Sequence, residues 1–321
     1  MKHKMVLLSA ALAATLALPT LAKDDALSLV PPNAVTVGMI KLRDVRTSPL
    51  SSMLFQQTDK MTVDGDAQKF LADAGLSPTK DIDVLVVSTT PRTNLGSEAD
   101  VLIAAEGRFN VERLTNALVA RGGTKKNGYI VMPESKRDDD GENGAVAFPT
   151  SSLALLGNER AVAAALAART SGGAGFRSAG ALAMDMTRID SNATAWALVD
   201  VTRAQRLGRN TSPHGKGQAG EALAMAMKSV STMALWATDK GDSLELGAFG
   251  ISSDADTLQL LEDTVRGGLS ALRLAVKDKA PDMVSVLRRF DVTRKNDSIR
   301  IEGSIPASTL RELMAKKTAQ K

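Results

Sequence analysis

The sequence predicts an α+β fold made of two similar halves, each a largely antiparallel sheet with helices packed on one face. Two observations carry this prediction: strand-like and helix-like segments occur in the same order twice, and the strand-like segments come in pairs joined by short loops. Short loops require antiparallel neighbours, because a parallel pair needs a long crossover connection. We therefore expect an internal duplication whose two copies share little sequence identity.

The elements of the two halves can be matched in order. Each half begins with an apolar strand and a helical run, continues with a strand pair and a helix, and ends with a second strand pair and a closing helix. Both halves also contain an Arg-Gly-Gly triplet. The matched segments, first half before second, are strands 33–40 and 192–199, 82–89 and 230–238, 100–109 and 243–252, 129–132 and 284–293, 145–148 and 298–305, triplets 121–123 and 266–268, and closing helices 158–169 and 306–317.

Two strand candidates, 84–87 and 101–105, are nearly continuously apolar. Strands of this kind are typically covered on both faces of their sheet. We therefore expect the sheets of the two halves to pack face to face.

The chain divides into four segments. The linker begins with a Gly- and Ser-rich stretch and then contains one short helical run. The predicted segments are a signal peptide at 1–22, a first α+β repeat at 23–170, a linker at 171–191 and a second α+β repeat at 192–321.

The first residues are typical of a secretory signal peptide. Lys2 and Lys4 supply the positive charge, and the uncharged run Met5–Leu18 is shorter than the about 20 residues that a helix needs to cross a bilayer. Small residues then precede a cleavage site after Ala22. We therefore expect a periplasmic or secreted protein whose mature chain has no transmembrane helix. A membrane anchor is the alternative.

The composition argues against several classes of function. The chain has no Cys, so it has no disulfide framework, no thiol nucleophile and no lipid-attachment cysteine. A formal net charge of +4 is too small to predict a nucleic-acid partner. Aromatic residues make up 3%, which disfavours sugar sites, because these commonly stack on aromatic faces. Trp196 and Trp236 fall in predicted strands, where we expect them to pack in the core.

After the signal peptide, His214 is the one histidine in the sequence. A catalytic triad with Ser212 would lack the Gly-x-Ser-x-Gly turn, and a zinc site would have only carboxylates as further ligands. The same loop contains 215–220, which matches Gly-x-Gly-x-x-Gly but lacks the preceding strand that a dinucleotide site needs. We therefore expect a solvated loop, no enzyme activity, no metal and no cofactor.

An acidic run, Asp138-Asp139-Asp140, lies between two predicted strands and is followed by Glu142. Its spacing lacks the alternating ligands of an EF-hand loop. We expect a solvated hairpin tip, and weak calcium binding is the alternative.

A Gly-Arg pair, Gly107-Arg108, joins a predicted strand to a predicted helix. Asn110 fits the N-cap of that helix, and Gly122 fits a left-handed C-cap. An arginine beside a helix N-terminus can hold an anion, so Arg108 is a candidate contact for an anion or a partner. The matching joint of the second half, 250–254, has no basic residue, which favours a structural joint with a solvated Arg108.

Two segments share the sequence Ala-Leu-Ala-Met, at 181–184 and 222–225, and continue to Met186 and Met227. Core packing of amphipathic helices explains such segments. The alternative is an apolar groove for a lipid or a hydrophobic peptide, since methionine adapts to irregular surfaces.

Short motifs of the first half resemble a group of secreted bacterial proteins of unknown function. They are Gly-Arg-Phe-Asn at 107–110 before a helix, Asn-Gly-Tyr-Ile-Val-Met-Pro at 127–133, and Gly-Asn-Glu at 157–159 before the closing helix. The likeness covers most of 30–170 and, loosely, 192–316. It implies export and a duplicated fold, and it carries over no catalytic residues.

We expect a non-catalytic exported protein that binds a protein or a cell-envelope component. Export and the lack of catalytic signatures in the sequence favour this hypothesis. The alternative is a periplasmic carrier of an apolar ligand such as a lipid, which the Met- and Leu-rich helices favour. A hydrolase that uses carboxylates or a Ser-Lys pair is a third hypothesis.

Overall fold

The computed structural model describes residues 25–48, 65–92, 98–133, 143–173, 175–207, 229–278 and 280–312. These residues form one antiparallel sheet of 12 strands with helices on both of its faces. The predicted α+β class and the antiparallel sheet are confirmed. In the first half, helices pack against both faces of the sheet and not against one; in the second half, helix 255–276 packs against one face, and residues of the segment 171–191 cover the other.

The elements are numbered along the chain. A 3₁₀ turn, Ala26–Leu29, precedes the sheet. The strands are β1 (Thr36–Ile40), β2 (Ile82–Pro91), β3 (Ala99–Gly107), β4 (Thr124–Lys126), β5 (Tyr129–Val131), β6 (Gly144–Thr150), β7 (Leu153–Asn158), β8 (Ala195–Asp200), β9 (Thr232–Asp239), β10 (Ser243–Ile251), β11 (Asp291–Arg294) and β12 (Ser298–Pro306). The helices are α1 (Leu42–Thr47), α2 (Gly65–Ala74), α3 (Pro78–Asp81), α4 (Val111–Ala120), α5 (Glu159–Ser171), α6 (Phe176–Ala179), α7 (Ala183–Met186), α8 (Val201–Leu207), α9 (Ala255–Val276) and α10 (Pro281–Leu287).

The two halves of the sheet meet edge to edge. The strand order is β11-β12-β10-β9-β8-β1-β2-β3-β7-β6-β5-β4. β1 and β8 pair antiparallel in the middle, with Gly38 opposite Ala197. The expectation that the halves pack face to face is therefore wrong. Edge-to-edge pairing satisfies the backbone groups of both first strands and leaves both faces of the sheet for helices.

The connectivity outward from this central pair is the same on both sides. It runs β1-β2-β3-β7-β6 through the first half and β8-β9-β10-β12-β11 through the second. The first half has the additional hairpin β4–β5 at its edge. This order of strands agrees with the predicted internal duplication. The duplication and the domain boundaries stay predictions.

One face of the sheet carries the main core. Alternate residues of the central strands point into it, among them Val37, Val86 and Leu198, which are buried. The 3₁₀ turn, α5 and α6 cover this face, and Phe176 of α6 is fully buried there. The segment predicted as a linker, 171–191, therefore supplies part of the core.

The opposite face carries two smaller clusters. In the first half, α2 and α4 pack on it, and Leu114 of α4 contacts the cluster that contains Ala105 of β3. In the second half, α9 packs on it, and Leu258 joins the cluster that contains Ile299 of β12. The two clusters have no residue in common, so the central strands lie between them.

The predicted strand 284–293 is wrong over most of its length. Its first part belongs to α10, and only Asp291–Arg294 forms β11. Pro281 begins α10, and its apolar residues Val286 and Leu287 are buried along one side of the helix. The apolar run is therefore the buried side of a short helix, in which Pro at the first position is favourable.

The two Arg-Gly-Gly triplets are not equivalent. In 121–123, Gly122 has φ +90° and follows the end of α4, as predicted. The triplet 266–268 lies inside α9. The predicted signal peptide, 1–22, lies outside the described residues. Of the predicted closing helix, 306–317, Pro306 belongs to β12 and the other described residues, 307–312, are helical.

Candidate functional site

A row of apolar residues crosses the opposite face of the sheet. Each residue in this row is directly opposite the next on the neighbouring strand, so the row runs perpendicular to the strands. At about 4.8 Å between strands, it spans about 34 Å. Its members in order are Leu156, Ile103, Val87, Gly38, Ala197, Leu235, Ala248 and Ile301.

The middle of this row is open to solvent. We term Val87, Gly38, Ala197 and Leu235 the central band, because they come from the four central strands β2, β1, β8 and β9. Val87 is 38% exposed and Leu235 is 57% exposed, whereas Gly38 and Ala197 are half-buried. Large apolar side chains this exposed, in a row on a sheet, make the band a candidate interaction surface.

Gly38 gives an independent measure of how open the band is. If Gly38 carried a Cβ, one described atom would lie within 4 Å of it. This atom is the backbone carbonyl oxygen of Trp196, on the neighbouring strand, at 3.6 Å. No described side chain therefore packs on Gly38. Gly38 and Ala197 form a shallow depression between the larger Val87 and Leu235.

The positions beside the central band are also uncharged. They lie two residues along each strand and point to the same face of the sheet. They are Leu85, Ile40, Ala195 and Ala237 on one side, and Thr89, Thr36, Val199 and Met233 on the other.

A charged pair lies near one end of β2. Arg46 of α1 donates a hydrogen bond to Asp83 of β2, with 2.6 Å between Nη1 and Oδ1. This pair ties α1 to the end of β2 and uses both charges within the chain.

The chemistry of the central band suits binding. It has no nucleophile, no acid or base and no charge, so it can stabilise a complex only by burying apolar surface. Such burial contributes about 25 cal/mol per Å². The band thus offers an uncharged, apolar surface between the helices of the two halves.

Arg108 lies at the Gly-Arg joint and is 66% exposed along its side chain. Its guanidinium donates to the carbonyl oxygen of Lys80 and lies 3.9 Å from the carboxylate of Asp81, at the end of α3. Its backbone N–H also donates to the carbonyl oxygen of Asp81, at 2.8 Å. Arg108 therefore holds α3 against the end of β3, and its role as an anion or partner contact stays a prediction.

The glycine of this joint is needed for close approach. A Cβ on Gly107 would lie 2.1 Å from the carbonyl oxygen of Asp81, a distance that no side chain tolerates. Asn110 caps α4 as predicted, because its side-chain oxygen accepts from the N–H of Arg113 at 3.0 Å. The stretch 107–110 is thus built as a structural joint, and a cleft of about 440 Å³ opens beside it.

Two clefts on the main-core face share Asp190. One, of about 320 Å³, is lined partly by Lys41 and Trp196, and the other, of about 500 Å³, partly by Trp236 and Arg300. Both tryptophans are buried, as predicted. The guanidinium of Arg300 lies 4.5 Å from the centre of the Trp236 ring, a cation–π contact.

The carboxylate of Asp190 accepts two hydrogen bonds from within the chain. It accepts from the backbone N–H of Asn192 at 2.9 Å and from the hydroxyl of Thr238 at 2.8 Å. These bonds, the backbone one first, hold the pKa of Asp190 below its ordinary value. Asp190 therefore stabilises a turn against β9, and it lacks the raised pKa that a general acid needs.

The Ala-Leu-Ala-Met segments have different outcomes. Leu182 is buried in the main core and Met186 packs against it, as core packing predicts, whereas Met184 is 81% exposed. The second segment, 222–225, lies outside the described residues.

Three other sequence features also lie outside the described residues: His214 with Ser212, the glycine-rich stretch 215–220, and the acidic run Asp138-Asp139-Asp140. Their assignments as a solvated loop and a solvated hairpin tip stay predictions. Within the part of the chain that the structure describes, no group of three or more potential metal ligands comes together. No helix there combines the length and the apolarity needed to cross a membrane.

The central band was missed by the sequence interpretation. Its signal lies in the apolar run 84–87, which, like 101–105, is typical of a strand covered on both faces. Val87 and Val101 are instead 38% and 39% exposed. Gly38 and Ala197 carried no signal, because small residues in strands are uninformative until their cross-strand partners are known.

Comparison with known proteins finds only weak structural resemblances. No protein-family model and no curated protein sequence matches the chain. Crystal form I of TP0453 is similar with a TM-score of 0.45 and 12% identity, over 92% of this chain and 98% of that chain. Crystal form III of TP0453 is similar with a TM-score of 0.47 and 9% identity, over 92% and 99%. These are weak structural resemblances, and they assign no function to this chain.

Proposed function

We propose that this protein is an exported, non-catalytic protein that binds an apolar face of another envelope protein through the central band. The observation that carries the proposal is the exposure of Val87 and Leu235 on either side of the depression at Gly38 and Ala197. The signal-like sequence at 1–22 supports a periplasmic or secreted location.

The geometry favours docking over the carriage of an apolar ligand. A carrier needs an enclosed, mostly apolar cavity. The clefts described above are open to solvent, and the largest, of about 500 Å³, has Arg289, Glu245 and Glu302 in its wall. The central band, in contrast, is shallow, open and uncharged, which suits the surface of a protein partner.

Cross-linking tests the docking proposal directly, because the chain has no Cys of its own. A photoreactive thiol reagent is attached to Leu235→Cys and the protein is exposed to envelope extract. Met184→Cys is the matched control, since Met184 is an exposed apolar residue in α7, which packs with the main-core side of the sheet. We expect a discrete protein adduct with Leu235→Cys only.

A second substitution makes the test specific for the central band. Adding Val87→Glu to Leu235→Cys places a charge at the other end of the central band, across β1 and β8 from the probe, and should abolish the adduct, while a thermal melt checks that the protein stays folded. Equal adducts at both probe positions, or an adduct that survives Val87→Glu, would reject the proposal. Co-purified lipid in native mass spectrometry would support the carrier instead.

The proposed export has its own test. Expression with residues 1–22 present, followed by fractionation and mass spectrometry, should give a mature chain beginning at Lys23 outside the cytoplasm. A full-length chain retained in the cytoplasm would contradict it.

A further inference from the structure

The smaller of the two clefts that share Asp190 combines an apolar wall with groups of both charges. We term this cleft, of about 320 Å³, the Lys41 cleft. Its apolar wall includes Ile189 and Trp196, which are buried, and Met39, which packs against the main core. The volume is at the small end of the about 300–1,000 Å³ that ligand sites occupy, so the cleft suits a small molecule.

Two donors that border the Lys41 cleft have no hydrogen-bond acceptor within the described part of the chain. They are the ammonium group of Lys41, which is half-buried, and the indole N–H of Trp196, a residue that is 8% exposed. A buried donor is unfavourable unless water or a ligand supplies its acceptor. The other cation of the cleft, Arg177, is already paired with Asp25, with 2.8 Å between Nε and Oδ2. Lys41 and Trp196 are therefore the donors left for an anionic group of a ligand.

Asp190 borders the same cleft and supplies the opposite charge. Beside the two hydrogen bonds described above, the charges of Lys240 and Lys41 lower the pKa of Asp190, so its carboxylate is ionised at neutral pH. Lys41 is thus near enough to act on Asp190, yet among the described residues it forms no ion pair within 4 Å. A carboxylate has about four acceptor positions, so Asp190 can accept further hydrogen bonds from a ligand.

The charges around the cleft balance. Arg177 is neutralised by Asp25, and Lys240 is paired with Glu245 at 3.4 Å, which leaves the positive charge of Lys41 and the negative charge of Asp190. A ligand with a single charge would attract one of these two groups and repel the other. A ligand that carries both charges can complement each of them.

We propose that the Lys41 cleft binds a free α-amino acid with an apolar side chain. The carboxylate of the amino acid accepts from Lys41 and from the indole N–H of Trp196, and its ammonium group donates to Asp190. Its side chain lies against the apolar wall that Ile189 and Met39 help to form. An α-amino acid carries both charges next to an apolar group in a small volume, which matches the small cleft.

The first experiment varies the ligand. Calorimetric titration near neutral pH compares L-leucine with leucinamide, which lacks the carboxylate, and with isocaproate, which lacks the ammonium group. We expect leucine to bind at least about tenfold more tightly than either analogue, because each analogue leaves one charged group of the cleft without its partner. The proposal is overturned if leucine, methionine and phenylalanine all fail to bind, or if leucine binds no more tightly than the two analogues.

The second experiment varies the cleft. Lys41→Met should weaken leucine binding at least about tenfold and leave leucinamide binding unchanged, because the amide lacks the group that Lys41 binds. Lys240→Met is the matched control, since Lys240 also acts on Asp190 but does not border the cleft. This control should change leucine binding by less than about twofold. A thermal melt of each variant checks that it is folded.

Two results of the second experiment would overturn the proposal. One is an equal loss of leucine binding in Lys41→Met and Lys240→Met, and the other is an equal loss of leucine and leucinamide binding in Lys41→Met. The Lys41 cleft lies on the main-core side of the sheet, whereas the central band lies on the opposite side. The titrations need no envelope protein, so their result leaves the docking proposal to its own test.

Discussion

The ring of Trp236 lies directly over the Cα of Gly247 on the neighbouring strand. A Cβ at Gly247 would lie 2.0 Å from Cζ2 of the ring, far inside van der Waals contact. On the same face, Arg300 stacks on Trp236 and donates to Glu302 at 2.7 Å. The absence of a side chain at Gly247 therefore determines where the Trp236 ring lies and what stacks on it.

Gly247→Ala should destabilise the protein by about 1–3 kcal/mol, because the new methyl group forces the Trp236 ring out of its position. Urea unfolding followed by tryptophan fluorescence measures both the stability and the altered ring environment. Gly250→Ala is the matched control in the same strand, since its Cβ would have ordinary contacts of 3.6 Å with Ile299 and 3.7 Å with Val230. Equal losses for the two variants would contradict the role of Gly247.

Gly107→Ala should also cost about 1–3 kcal/mol or more, because its Cβ would overlap the backbone of Asp81, which cannot move without shifting α3. Thermal or urea unfolding measures the loss. Gly144→Ala is the control, since a Cβ there would meet no described atom within 4 Å. A Gly107→Ala variant as stable as this control would mean that the backbone of Asp81 shifts to accommodate the methyl group without a loss of stability.

Arg108→Ala should leave the affinity for inorganic phosphate unchanged, because its guanidinium already binds the carbonyl oxygen of Lys80 and faces Asp81. Calorimetric titration of phosphate into the two proteins measures this. A tenfold or greater weakening in the variant would instead establish Arg108 as an anion contact.

Phe176→Ala should destabilise the protein by about 3–5 kcal/mol, the usual cost of removing a fully buried aromatic ring. Denaturant unfolding measures the loss, with exposed Met184→Ala as a control that should change stability by less than about 0.5 kcal/mol. If 171–191 were only a connection between two independent halves, both variants would behave alike.

Asp190 should contribute pH-dependent stability. Its pKa is lowered in the folded state, so its contribution is present above the pKa of the unfolded chain, near 3.8, and is lost as the pH falls through the lower folded pKa. The difference in unfolding free energy between wild type and Asp190→Asn should therefore be constant at neutral pH and shrink below about pH 4. If this difference instead grew as the pH fell, the pKa of Asp190 would be raised, and not lowered, in the folded state.

The sequence predicted most of the strands, the main helices and the Gly-Arg joint, because these depend on local patterns. Asn110 and Gly122 are found where capping rules place them. The predicted strand 284–293 failed because a short apolar run fits one side of a helix as well as a strand. Its helical form depends on packing that the run itself does not encode.

The central band could not be predicted, because it depends on contacts between distant strands. Val87 is recognisably part of a strand, but its exposure follows from Gly38 and Ala197, which come from two different halves of the chain. Which residues face each other across a sheet is decided by register, and register is a tertiary property.

The pairing of β1 with β8 also bears on how the chain folds. Because β1 and β8 are far apart in the sequence, the first half can form while its β1 edge is still unpaired, and such an edge can add a strand from another molecule. Contacts this far apart along the chain form slowly, because a long loop must close first. Partly folded chains are thus most vulnerable to aggregation before β8 pairs, and a factor that shields the free edge of β1 would protect them.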